Sequence, residues 1–431
     1  MINLQVSIEV NGVQCRAGTI HGDGRRKGTF SYDRNYLTGP VAVPLSVALP
    51  LQEKPFSEAR THYFFDGLLP EGFTRRSVAW WARASEEDYL SILAALGREC
   101  IGAIQILPEN ELPPAPSYRK MTLAQVQALA REGASKSAEI VTQTHLSLTG
   151  ASGKVGLYRN PPDEAWYLPR GDAPSTHILK QSHVRFRHII TNEQLALLTA
   201  QELGLETTES FIVNTKDGKD EEILFAARRF DREFSPENSP QTQFVDGLAV
   251  PLRLHQEDFA QALAIPAADK YEKPGTHYLQ DMFALLRRVS SNPIEDQLKL
   301  WSILIFDYLI GNTDNHLKNY SLLYSPDLKS VRLAPAYDIV STAVYEQSTR
   351  EMALRIGSEH ILDEVTRNSF LLAASEAGLG TRLAMKYFDR MAEQFPSALE
   401  KAASRLTEEG YPEAEYLRKK ILQCGGYSKY I

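Results

Sequence analysis

The chain opens on strict alternation: Ile2, Leu4, Val6, Ile8 and Val10 fall on one face of an extended segment. A period of two predicts a half-buried strand. Asn11-Gly12 follows, a pair suited to a two-residue hairpin turn. A further strand is predicted over Gly28–Tyr32. Residues 41–51 are apolar, but Pro44 and Pro50 exclude a central strand or a helix interior there. Helical spacing is predicted over 61–69, 74–84 and 87–96, with Gly97 closing the last helix in the left-handed conformation. The run Pro-Glu-Asn-Glu-Leu-Pro-Pro-Ala-Pro at 108–116 marks a domain edge. Thr122 is the expected N-cap of a short helix with Leu123, Val126 and Leu129 on one stripe.

From about residue 140 the pattern turns to strands, over 144–149, 155–159, 166–169 and 177–180. A helix over 192–203 stops at Gly204. Strands over 211–214 and 222–228 flank the turn Lys216-Asp217-Gly218-Lys219. Beyond about 255 the pattern is mainly helical, most clearly over 294–310, ended by Gly311-Asn312. Its most apolar part, Trp301–Ile310, contains Asp307 and is shorter than the roughly 20 residues that span a bilayer. A buried core helix is expected there. A strand-rich half followed by a helix-rich half is an α+β arrangement in two lobes. The natural cuts are 1–115, a hairpin plus helices; 116–230, strands around a glycine loop; and 231–431, a helical lobe.

Charge and cysteine content narrow the class. The 431 residues carry 47 Lys+Arg against 54 Asp+Glu, a net charge of −7. This argues against a large basic surface that wraps nucleic acid unaided. Hydrophobic content of 43% with 23% charged residues excludes dominant disorder. Cys15, Cys100 and Cys424 form no Cys-x-x-Cys, so neither a zinc site nor a disulfide framework is supported. Few unpaired thiols, no secretory leader pattern and no membrane-length apolar run point to the cytoplasm, without a membrane role.

Four features carry chemistry. The first is the loop Ser147-Leu148-Thr149-Gly150-Ala151-Ser152-Gly153-Lys154 between two predicted strands. Its small residues let backbone N–H groups approach an anion, and Lys154 adds a charge. It is not a Walker A loop, and an ordinary hairpin turn would look alike. The second is Lys180, ending an extended segment. A strand lysine beside such a loop can pair with nucleotide phosphates, and Glu193 on the following helix could hold its ammonium. The third is Asp314-Asn315-His316-Leu317-Lys318-Asn319, directly after the apolar helix. Asp-x-x-x-x-Asn is the spacing of a kinase catalytic loop, with the Asp as base and the Asn on magnesium. The fourth is Tyr337-Asp338, whose carboxylate could be a second magnesium ligand. Each has a bland reading as turn, surface lysine or Asx-rich loop; their order is what matters.

In that order the sequence resembles the HipA family, serine/threonine kinase toxins of bacterial toxin–antitoxin modules. The resemblance rests on Phe64–Glu71, Gly97–Ala103, Ser147–Lys154, His177–Lys180, Asn192-Glu193, Arg229–Arg232, Gln256–Phe259, Gly311–Asn319 and Pro335–Asp338. It implies an α+β, two-lobed protein-kinase-like fold with a strand-containing N-terminal subdomain and an all-helical C-terminal lobe. It implies an ATP- and Mg²⁺-dependent serine/threonine-protein kinase. Asp314 would be the catalytic base, and Asn319 and Asp338 the metal ligands. Thr149, Gly150, Ala151, Ser152, Gly153, Lys154 and Lys180 would meet the ATP phosphates. Arg228, Arg229 and Phe230 would form the adenine-side hinge, and His316, Lys318 and Tyr337 would complete the nucleotide site. Ser147 matches the family's autophosphorylated, inactivating serine.

The implied substrate is a protein of translation, typically the glutamyl aminoacyl-tRNA synthetase, whose phosphorylation stops growth and favours persistence. The implied partner is a HipB-like helix-turn-helix antitoxin, which would carry most of the DNA contact. Phe64–Glu71 and Gly97–Ala103 would either dock that partner or pack the N-terminal region. Two departures stand out: Ser152-Gly153 where the family usually has Gln-x, and Arg228 where an acidic residue is common. The rival readings are a kinase of a small-molecule or lipid acceptor and a catalytically weak corepressor.

Overall fold

The computed structural model describes residues 2–23, 27–144, 153–183, 185–235 and 242–430. Helix and sheet are mixed, as the two periodicities predict. The chain forms two compact units, one of residues 1–181, 226–267 and 323–331, the other of 182–225, 268–322 and 332–431. No helix among the described residues is long and apolar enough to cross a membrane, and all three cysteines are free thiols.

The first unit begins with the expected hairpin, strands Ile2–Val10 and Val13–Gly22. Asn11 and Gly12 take φ of 50° and 78°, the left-handed pair that a tight hairpin turn needs. Leu4, Val6 and Ile8 are fully buried. The sheet order is Gly28–Tyr32, Val13–Gly22, Ile2–Val10, Ile104–Pro108, all antiparallel. The helices Glu58–Asp66, Gly72–Trp81 and Tyr89–Leu96 lie within three residues of their predicted starts.

Gly97 corrects one expectation. Its φ is −67°, not left-handed. Glycine is there because a Cβ would lie 2.6 Å from the Ile106 carbonyl oxygen, while Ile106 N–H donates to Gly97 O at 2.7 Å. Thr122 caps its helix as expected, with Gln125 closing a reciprocal capping box. The predicted strand from 144 is overturned at its start: Ala134–Thr144 is a helix, and 145–149 lie outside the described residues. A second antiparallel run follows in the order Ser117–Lys120, Trp166–Arg170, Lys154–Arg159, His177–Gln181.

A buried ion network holds this unit together. Glu99 accepts from Arg229 Nη1 at 3.0 Å, Arg232 Nη2 at 2.9 Å and Arg253 Nε at 3.2 Å. Asp231 accepts from Arg229 Nε at 2.9 Å and from the Gly102 N–H at 2.6 Å. Arg253 also reaches Glu9 and Asp172. The Gly97–Ala103 and Arg229–Arg232 strings are therefore one packing assembly. Phe64, Phe65, Leu68 and Leu69 are likewise buried, and Gln261 Nε2 donates to Phe64 O at 2.9 Å.

The second unit is built on helices Ile189–Glu202, Tyr278–Val289, Pro293–Ile310, Arg367–Glu376, Thr381–Glu408 and Glu413–Cys424. Trp301, Phe370 and Phe388 form its aromatic core, and Trp301 Nε1–H donates to Ala384 O at 3.0 Å. The C-terminal half of the chain is not all helical. Strands occur at Ser321–Tyr324, Val331–Leu333, Glu351–Ile356 and Glu359–Ile361. These segments are short, so their alternation is too brief to register against the long helices around them.

Candidate active site

The helix Pro293–Ile310 ends where the sequence stops it. Gly311 takes φ 78° and the Asn312 N–H returns to Asp307 O at 2.8 Å. In the loop 311–320 Asp314 alone is exposed, Asn319 is half-buried and the rest are buried. A packed frame thus presents one carboxylate to solvent.

The frame is specific. Asp307 accepts from Asn312 Nδ2 at 2.8 Å and from the Tyr320 hydroxyl at 3.0 Å, so it fastens both ends of the loop to the helix. Burial pushes the Asp307 carboxyl up to about 7, against hydrogen bonds from Asn312, Tyr320 and Asn315 that hold it down. Asn312 Oδ1 accepts the Asp314 N–H at 3.1 Å. Thr313 is held through its N–H on Thr342 Oγ1 at 2.7 Å and its carbonyl under the Ala353 N–H at 2.9 Å. Asn319 Nδ2 donates to Asp314 O at 2.8 Å, which orients that amide and fixes the five-residue spacing. The Tyr271 hydroxyl donates to Asp314 Oδ1 at 2.8 Å.

Asp338 adopts φ 57°, a left-handed conformation that Asp tolerates better than most residues and that tertiary anchors must hold. Those anchors flank it. On one side Ala336 N–H donates to Glu206 O and its carbonyl accepts from the Thr208 N–H, each at 2.9 Å. On the other, Asn192 grips the Ser341 main chain twice, Nδ2 to O and N–H to Oδ1, each at 3.0 Å. Tyr337 Oη donates to Lys318 O at 3.0 Å and pairs with Ser321 Oγ at 2.7 Å. Asp314, His316, Lys318, Asn319 and Tyr337 are thus tied into one hydrogen-bonded region of the second unit, and Asp338 follows Tyr337 in the chain.

The first unit carries the expected phosphate-side residues. Lys154 and Lys180 are directly opposite partners on adjacent antiparallel strands, so both side chains leave the same face. Lys180 is buried. A Cβ at Gly153 would come within 3.1 Å of Ala134 Cα, so glycine suits this close approach. Ser147, Thr149, Gly150, Ala151 and Ser152 lie outside the described residues. Arg228 is exposed and Phe230 half-buried. Arg229 is committed elsewhere: its side chain is 1% exposed and bound to Glu99 and Asp231. Only its main chain can serve a nucleotide. Glu193 is buried on the helix Ile189–Glu202.

Sequence reading missed Asn312, Tyr320 and Tyr271, and it read Asp307 only as a charge that rules out a membrane helix. A carboxylate inside an apolar helix four residues before a stop glycine is the signal that was available.

Comparison with known proteins gives the family and the fold. The HipA-like C-terminal domain model matches residues 146–399 and the HipA N-terminal domain model residues 8–107. A Sinorhizobium fredii protein named "Putative kinase Y4mE" is 33% identical over 394 residues, covering 88% of this chain and 89% of its own length. The serine/threonine-protein kinase toxin HipA of Shewanella oneidensis is 26% identical over 407 residues, covering 90% and 88%. A solved complex of Shewanella oneidensis MR-1 HipA, HipB and operator DNA matches in fold with a TM-score of 0.79. It shares 22% identity over 99% of this chain and 97% of that one. With both family models matched in order and a relative 33% identical along most of both chains, the chain belongs to the HipA family of serine/threonine-protein kinase toxins.

Proposed function

We propose that this chain is an ATP- and Mg²⁺-dependent protein kinase that phosphorylates a serine or threonine of a protein of translation. The observation that carries this reading is the loop 311–320, in which a buried frame exposes Asp314 alone and ties Asn319 to it. Asp314 is suited to accept the acceptor hydroxyl proton. The donor set fits a hard cation. Asn319 spends its amide N–H on Asp314 O, so its side-chain oxygen is the atom that would serve as a ligand, and Asp338 would add a carboxylate. Among the described residues no group of three or more His, Cys, Asp or Glu could hold a metal ion. Two oxygen ligands suit Mg²⁺, which takes the remainder from phosphates and water. When bound, the cation neutralises charge on the transferring phosphoryl group. Lys154 and Lys180, paired on one face, are assigned to the phosphates.

The aminoacyl-tRNA synthetase substrate, the HipB-like antitoxin, the cytoplasmic setting and self-inactivation at Ser147 follow from family membership. The Shewanella kinase toxin HipA and the HipA–HipB–operator DNA complex support the kinase reading and the HipB-like partner; the synthetase, the cytoplasmic setting and Ser147 rest on the family resemblance alone. The test is incubation of purified chain with radiolabelled ATP, Mg²⁺ and host lysate. Transfer of label to one protein, identified by mass spectrometry, is expected; absence of any Mg²⁺-dependent transfer sinks the reading.

Two substitutions probe the site. Asp338→Asn should weaken nucleotide binding in Mg²⁺ and leave Mg²⁺-free binding unchanged, because a full charge leaves the cation's ligand set. Calorimetry that shows equal losses in both conditions makes Asp338 structural instead. Asp307→Asn exchanges one acceptor for a donor, so either Asn312 or Tyr320 loses its partner. Turnover should fall about 10-fold, the scale of one unsatisfied buried group, with nucleotide affinity preserved. A change confined to nucleotide affinity would contradict it.

A further inference from the structure

The hydroxyl that meets Asp314 in this structure belongs to the chain itself. Tyr271 Oη donates to Asp314 Oδ1 over 2.8 Å. In the kinase reading a serine or threonine acceptor must present its own hydroxyl proton to that carboxylate. The phenol therefore stands where the acceptor is needed. Its place is built. Leu317 N–H donates to Lys270 O at 3.3 Å, which pins the neighbouring backbone to the loop. The Tyr271 ring meets His316 edge-on with centroids 5.2 Å apart, and Lys270 Nζ lies 5.5 Å from the ring centroid. Yet Tyr271 is 45% exposed. The ring can turn into solvent without opening a cavity in the core, while residue 270 stays fixed.

We infer that Tyr271 is an acceptor-side gate: its phenolic hydroxyl substitutes for the incoming hydroxyl on Asp314 and yields to it. The inference rests on the kinase reading of Asp314 and adds a specificity residue to it. In the step that is gated, the acceptor oxygen bonds to the γ-phosphorus of ATP, the bond from that phosphorus to the bridging oxygen breaks to release ADP, and the hydroxyl proton passes to Asp314. A protein segment that brings binding energy of its own can displace the phenol. A lone water brings almost none, so the same gate suppresses wasteful hydrolysis of ATP.

The test uses the full chain, wild type and Tyr271→Phe, with radiolabelled Mg²⁺-ATP and two acceptor probes, dephosphorylated casein and a pool of serine-containing peptides. Phenylalanine keeps the ring against His316 and removes only the hydroxyl. The expected result is a rise of about 2- to 10-fold in kcat/KM for the acceptor, the weight of one hydrogen bond. It should come through a lower acceptor KM, with the KM for ATP unchanged. ATP hydrolysis without acceptor should rise by a similar factor, and it decides the matter if neither probe is phosphorylated. A fall or no change in both rates overturns the gate, because the phenol would then orient the base or do nothing. A matching change in the KM for ATP also overturns it, because it marks a general structural effect. If wild type neither transfers phosphate nor hydrolyses ATP, the reading of Asp314 fails and the gate with it. An active wild type with an unaltered Tyr271→Phe variant rejects the gate alone.

Discussion

Phosphotransfer by the Asp314→Asn chain is expected to fall by about 10²- to 10⁴-fold, the usual weight of a positioned general base. Nucleotide binding should survive. The asparagine is nearly the same size, and its carbonyl oxygen can still accept from Tyr271. The main-chain contacts of residue 314 with Asn312 and Asn319 need no carboxylate. What is lost is the negative charge and the ability to take a proton. Single-turnover kinetics with labelled ATP, beside calorimetric nucleotide binding, separate the two quantities. Undiminished turnover would remove Asp314 from the chemistry, and lost binding would show that the substitution had disturbed the frame.

The second large effect lies far from that loop. Glu99→Gln should destabilise the first unit by about 3–5 kcal/mol, because it neutralises the buried carboxylate that Arg229, Arg232 and Arg253 share. Glu99 is 3% exposed and accepts from Arg229, Arg232 and Arg253. Burial by itself would push its carboxyl up; the guanidiniums of Arg232, Arg253 and Arg229 outweigh this and hold it down at about 2. A folded value below the ordinary one means that the contribution is complete above about pH 4.5 and fades as the pH falls toward 2. Denaturant titrations at neutral pH and at pH 3 test both statements. The gap between wild type and variant should be widest at neutral pH and narrow in acid. A gap that is small at neutral pH, or that widens in acid, would contradict the account.

Much of the local structure was legible. The N-terminal alternation and Asn11-Gly12 yield the hairpin because side chains alternate faces and both turn residues accept positive φ. The capped helix after Thr122 and the stop at Gly311 follow from equally short-range rules. The residues proposed for phosphotransfer were legible as identities in an order, from Lys154 through Lys180 to Asp314, Asn319 and Asp338. Gly97 shows the limit. The residue type was read as a conformational need, whereas the fold uses it for the close approach of Ile106.

By itself, then, the sequence determined the family and where many regular elements begin and stop, since motif strings and element ends depend on residues within a few positions of one another. Tertiary structure alone decided partnership. Glu9, Glu99, Asp172, Arg229, Arg232 and Arg253 share a charge network only once the chain is folded, and this takes Arg229 away from the nucleotide role read from its motif. Asp307 becomes a fastener of the loop 311–320 because Asn312 and Tyr320 turn back onto it. The positive φ of Asp338 is held by Glu206 and Thr208 on one side and Asn192 on the other, residues more than a hundred positions away in the chain. Tyr271 meets Asp314 across 43 residues. No local periodicity encodes such pairs, because a side chain's partner is chosen by how distant segments pack and which buried polar groups they must satisfy.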